Sequence, residues 1–129
     1  MWSDPDSDTS GFKYSNRGAG YMFGGDVVER FLHANNCIRI YRAHQLCQEG
    51  FAEFFDGKLA TVWSAPNYCY RFGNLASILE LDEKLNGYFN IFEDSPDNKL
   101  DQGRSKASVA AGAGSAKMRS IFQQDDFFT

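Results

Sequence analysis

From Gly103 to Lys117 the chain reads Gly-Arg-Ser-Lys-Ala-Ser-Val-Ala-Ala-Gly-Ala-Gly-Ser-Ala-Lys, a run with almost nothing to bury. Side chains this small cannot offset the entropy of ordering a backbone, so the folded part must come from the residues before it. We therefore expect one domain over residues 1–93 and a low-complexity, disordered tail over residues 94–129. Apolar groups return at Ile121-Phe122 and in Asp125-Asp-Phe-Phe-Thr129. They read as a frayed terminus, with a docking peptide as the alternative.

Aromatic residues make up 16% of the 129, with 12 Phe and 6 Tyr, which favours a β-rich core over a helical bundle. Thirteen basic against seventeen acidic residues give a net charge of −4, which speaks against nucleic acid or an anionic membrane as the main partner. Three cysteines with no CxxC pair suit a reducing compartment, and no apolar run reaches the roughly 18 residues of a membrane span. The start lacks the basic and apolar regions of a signal peptide.

Residues 1–25 read as loop, rich in Asp, Ser and Gly. Asp26 to about Asn35 reads as one helix, with Val27, Val28, Phe31 and Leu32 on a shared face and Asn35-Asn36 as its stop. Cys37–Tyr41 alternates with a period of two and reads as a strand built to pair with something upstream. Phe51–Phe55 and Leu59–Trp63 flank Asp56-Gly57, a strong hairpin signal. Leu75–Leu81 and Tyr88–Phe92 are joined across Asn86-Gly87, and Asn67–Asn74 is a long turn-rich loop. The fold class is α+β, with one main helix and about five strands.

The run Asp4-x-Asp6-x-Asp8 invites a calcium-loop reading, but Thr9 and Ser15 stand where Gly and Glu are needed. A solvated acidic loop accounts for it better. At ~100° per residue His33 points away from the helix's apolar face and is expected to be exposed. His44 directly follows a strand, a place from which a neutral imidazole can bind a metal, although one histidine alone makes no site. Arg17-Gly-Ala-Gly20 sets a guanidinium beside glycines, which suits phosphate oxygens but is common in loops. The loop Trp63–Arg71 reads either as a substrate wall or as an Ω-loop packed on its own rings.

Four runs together carry a resemblance: Trp2-Ser-Asp-Pro5, Arg17-Gly-Ala-Gly-Tyr-Met-Phe-Gly24, Arg42-Ala-His-Gln-Leu46 with Glu49-Gly50, and Ser64-Ala-Pro-Asn-Tyr-Cys-Tyr-Arg71. They resemble, in order and spacing, the later part of the serine/threonine phosphoprotein phosphatases, over about residues 1–93. Cys69-Tyr70-Arg71 looks like the type 2A branch, with the type 4 and type 6 catalytic subunits. The resemblance implies the C-terminal part of a metallophosphatase β-sandwich and an incomplete domain. It implies hydrolysis of phosphoserine and phosphothreonine at two divalent metal ions, manganese, iron or zinc, that hold an attacking hydroxide. It implies that His44 is a metal ligand, that Arg17 clamps the substrate phosphate, and that Tyr68 reaches over the catalytic centre from a loop that also carries the substrate-binding Arg71.

The departures are equally specific. The upstream motifs GDxHG, GDxxDRG and GNHE do not occur in this chain, so at most one metal ligand, His44, is present. The chain accordingly reads as a fragment or truncated gene product, expected to be marginally stable and inactive in isolation. Phe72 replaces the Cys common in type 2A enzymes, which argues against inhibitor attachment there, and the end Asp-Phe-Phe-Thr replaces Tyr-Phe-Leu, so methylation of a terminal leucine is not expected. Expected partners are phosphoproteins together with scaffold and regulatory phosphatase subunits, in the cytoplasm or nucleus. The rival reading is a non-catalytic module that binds those subunits.

Overall fold

The computed structural model describes residues 2–96 and 98. By contacts the chain divides into Met1–Glu93 and Asp94–Thr129. In the second unit the described residues form one turn, in which the Asn98 amide donates to Asp94 Oδ1 at 2.6 Å. The expected tail run and the apolar groups after residue 120 lie outside the described residues.

The first unit is α+β, as the sequence predicts, but its eight strands exceed the expected five because several are only two to four residues long. The segment expected to be loop holds three of them: β1 (Asp4–Pro5), β2 (Phe12–Tyr14) and β3 (Tyr21–Phe23), in the order β1-β3-β2. Glycines, serines and aspartates around such short pieces hide them from a pattern argument. Here β2 and β3 form an antiparallel hairpin, Tyr14 facing Tyr21, and β1 runs parallel to β3.

Helix α1 (Gly25–Asn35) forms where the apolar spacing predicts it and buries Val28 and Leu32. It stops because Asn36 adopts the left-handed conformation, with the Asn36 and Cys37 N–H groups donating back to His33 and Leu32. That cap consumes Cys37, so the expected strand Cys37–Tyr41 starts late, as β4 (Ile40–Arg42). Its partner lies downstream: β4 runs parallel to β6 (Leu59–Val62), which also pairs antiparallel with β5 (Phe51–Phe54). Val28, Leu32 and Leu59 form the core, with Phe23, Ile40, Phe54 and Phe55 packed against it.

Beyond β6, β7 (Ala76–Leu81) and β8 (Gly87–Phe92) make a hairpin. Its turn does not use Asn86-Gly87 as the left-handed pair. Leu85 takes the positive φ, and Asp82 organises the turn by accepting bonds from the Lys84 N–H, the Asn86 N–H and the Asn86 amide. The hairpin docks on β6 through Gly50: Ser77 Oγ donates to Gly50 O at 2.6 Å, and a Cβ at Gly50 would sit 2.6 Å from the Ala76 carbonyl carbon. Among the described residues no helix is long and apolar enough to cross a membrane.

Candidate functional site

Arg17 sits at the tip of the β2–β3 hairpin. The tip closes when the Ser15 N–H donates to Gly20 O, while Ser15 Oγ accepts from the Arg17 N–H at 3.1 Å. Gly20, at φ +75°, passes so near the strand below that a Cβ would lie 2.9 Å from Trp2 O. That close approach brings the guanidinium down onto the Trp2-Ser3-Asp4 segment, where Arg17 Nε donates to Asp4 Oδ2 at 2.7 Å.

Asp4 is not the solvated acid expected of an Asp-x-Asp-x-Asp run. It is 4% exposed, and its other oxygen, Oδ1, accepts from Arg42 Nη2 at 2.9 Å. Only Asp6 behaves as local turn chemistry, accepting from Thr9 Oγ1 and the Asp8 N–H, bonds that hold its carboxyl below the usual value. Arg42, at the end of β4, also donates to Ser3 O, Thr61 Oγ1 and Gln45 Oε1. Burial lowers the pKa of its guanidinium, and the Asp4 charge opposes that shift. Two guanidinium groups on one carboxylate leave one positive charge, because the remaining partners of Arg42 are neutral.

His44 lies two residues past β4 at φ +86°, an uncommon conformation for a side-chain-bearing residue. Its ring meets the Trp2 ring edge-on at 4.7 Å. Its Nε2 is buried and has no hydrogen-bond partner among the described residues. Trp2 and Asp4 are two residues apart, Asp4 opening β1 and Trp2 just before it. Arg17 and His44 are thus brought to one segment, Arg17 through Asp4 and His44 through Trp2. His33, as expected, is exposed.

Tyr68 and Arg71 are fixed in a different way. Their loop includes a single 3-10 turn, Tyr68–Tyr70, with Asn67, Cys69 and Tyr70 at positive φ. One buried amide, Asn74, ties it: Nδ2 donates to Ala65 O and Leu75 O, and Oδ1 accepts from the Tyr68 N–H at 2.8 Å. The Tyr68 ring stands edge-on to Trp63 at 4.9 Å and tilts against Phe72, while the exposed Arg71 guanidinium lies over the Phe72 ring at 5.0 Å. The rings of this loop thus pack on one another. Sequence reasoning read Asp4 only as part of a solvated acidic loop and gave Asn74 no role beyond ending its loop. The signal for Asn74 was its place at the loop's end, before a strand, where an amide can close a turn.

A buried, unpartnered imidazole nitrogen suits one ligand. Among the described residues, however, no group of three or more His, Cys, Asp or Glu could hold a metal ion. The residues present fit one ligand and not a two-metal centre.

Known proteins supply the class. The chain is 59% identical over 111 residues to the serine/threonine-protein phosphatase PP2A-like PPG1 of Saccharomyces cerevisiae, covering 78% of this chain and 30% of that protein. It is 58% identical over 96 residues to a protein phosphatase 2A catalytic subunit of Dictyostelium discoideum, covering 74% and 31%. A solved protein serine/threonine phosphatase from Saccharomyces cerevisiae, with similarity to human phosphatase PP5, matches with TM-score 0.65 at 34% identity, over 75% of this chain and 34% of that one. No family model matches. Fold and sequence are together similar to part of a serine/threonine-protein phosphatase catalytic subunit. Within that class the relatives it is similar to are PP2A-like, and the chain spans about a third of the length of the curated relatives it matches.

Proposed function

We propose that this chain is the C-terminal part of a protein phosphatase catalytic subunit that hydrolyses phosphoserine and phosphothreonine esters, and that it contributes the phosphate grip. The observation that carries this reading is the convergence of Arg17, Arg42 and His44 on Trp2-Ser3-Asp4, with one positive charge uncompensated. A phosphate ester is a tetrahedral anion, and the Nη1/Nη2 edge of Arg17 is oriented to meet it, since its only side-chain bond among the described residues uses Nε. In this proposal His44 supplies one ligand to a pair of manganese, iron or zinc ions, and Tyr68 and Arg71 line the substrate side of their loop. Metal ions, once bound, would polarise the phosphoryl group. The residues of this chain bind and orient it. Location in the cytoplasm or nucleus belongs to the same proposal, and three free cysteines suit it.

The test is to sequence the transcript upstream of Met1 and assay the longer product. In-frame GDxHG and GNHE are expected, with release of phosphate from a phosphoserine peptide in Mn²⁺. Arg17→Ala should then lower kcat/KM about 10²- to 10³-fold, as loss of a charge-stabilising donor does. An upstream frame without those motifs, or a longer product without turnover, would overturn the reading.

A second reading has its own support. The donor set fits one ligand, and Ile78, Leu81, Tyr88 and Ile91 on the β7–β8 hairpin are at least 47% exposed. As it stands, the 129-residue chain is then an inactive module competing for scaffold or regulatory subunits. Turnover of a phosphopeptide by this chain alone, at the level of an intact enzyme, would sink it.

A further inference from the structure

We infer that Asp4 is a positioning residue: it aligns the Arg17 guanidinium toward a tetrahedral oxyanion and, through Arg42, keeps the His44 loop in step with it. The inference rests on the reading of Arg17 as a phosphate grip. Each oxygen of the buried carboxylate holds a different arginine, Oδ2 the Nε of Arg17 and Oδ1 the Nη2 of Arg42. The carboxylate therefore cannot rotate without losing one of them. Arg42 is itself pinned to Thr61, a fully buried residue of the central strand β6, and to Gln45, the neighbour of His44. The chain of contacts runs from the core through Thr61, Arg42 and Asp4 to Arg17, an otherwise exposed hairpin tip.

Engagement at Nε matters for chemistry. It spends the side of the guanidinium that faces the protein and leaves both terminal nitrogens on the opposite edge, the edge that grips two oxygens of one anion. Asparagine could not replace Asp4, because its amide offers one acceptor oxygen and turns an NH₂ toward a guanidinium. A carboxylate buried only for stability would need neither the Nε contact nor the link to the His44 loop.

The full chain, labelled with ¹⁵N, is titrated with inorganic phosphate as wild type, Asp4→Asn and Asp4→Glu, following the arginine Nε–H resonances. In the wild type the Arg17 Nε–H is expected to be sharp before phosphate is added. In D4N it should shift and broaden, and phosphate affinity should fall about tenfold or more, the scale seen when a group that orients a ligand is lost. D4E, which keeps two acceptors, should recover part of it. An unchanged Arg17 resonance and unchanged affinity in a folded D4N chain would overturn the positioning role alone. A wild type that binds no phosphate would instead overturn the phosphate-grip reading, and the positioning role with it. Should D4N not fold, Arg42→Lys replaces it, since lysine keeps the charge but cannot hold Asp4, Thr61 and Gln45 together. Undiminished phosphate affinity in R42K would then overturn the inference.

Discussion

The Arg17–Asp4–Arg42 cluster and the Tyr68 loop are both irregular and both carry expected site residues, yet they are held by opposite means. The first is fixed by charge, one carboxylate between two guanidinium groups. The second is fixed by a neutral amide, Asn74, and by rings. The difference follows from what each must present. On the reading proposed above, a cationic grip needs partners that aim its charge without cancelling it, whereas a loop of aromatic tips needs only its backbone closed.

The comparison can be broken first at its strongest point. Asp4→Ala would leave two partly buried guanidinium groups without their counter-ion, and we expect a loss of about 3–5 kcal/mol, read by chemical denaturation. Next, Asn74→Ala should cost about 1–3 kcal/mol, because it removes the partner of the Leu75 carbonyl and the side-chain acceptor of the Tyr68 N–H, while Ala65 O keeps its bond from Trp63 Nε1. Its effect should stay within loop 64–74, leaving the Arg17 Nε–H resonance unmoved. A shift at Arg17 would show that the two regions are one.

Thiol labelling compares the regions within a single sample. Cys69 is exposed in the amide-held loop, whereas Cys47 is buried beside the His44 loop, and burial raises its thiol pKa above the ordinary value of 9.0. Only the thiolate reacts, so a raised pKa means less thiolate at any pH below it. At pH 8 Cys69 should label at least about tenfold faster than Cys47. The Cys47 rate should climb most steeply above pH 9.0, provided the fold survives. The smallest effect is expected at the exposed pair between Lys58 Nζ and Glu29 Oε1, which belongs to neither region. Glu29→Gln should change stability by less than about 1 kcal/mol.

How much of this was legible in the sequence depends on length scale. Helix α1 and the strand pairs β5–β6 and β7–β8 were readable, because each repeats its apolar spacing over several residues. The strands β1 to β3 were not, since two or three residues carry no period. Turn chemistry differs in one place: Asn86-Gly87 reads as the joint, but Asp82 accepts three bonds and the left-handed residue is Leu85. For the site, Arg17 and His44 stood out through the resemblance of their runs. Asp4 did not, because a carboxylate among other carboxylates reads as solvated until two arginines from distant segments are seen to meet it.

The central claim is that Arg17 and His44 are presented together, on one segment, to a phosphate-like anion. A crystal structure of the full chain soaked in tungstate tests it most directly. The anion is expected against the terminal nitrogens of Arg17, on the side where the His44 ring packs against Trp2. Tungstate held elsewhere, with Arg17 and His44 on opposite faces, would contradict it.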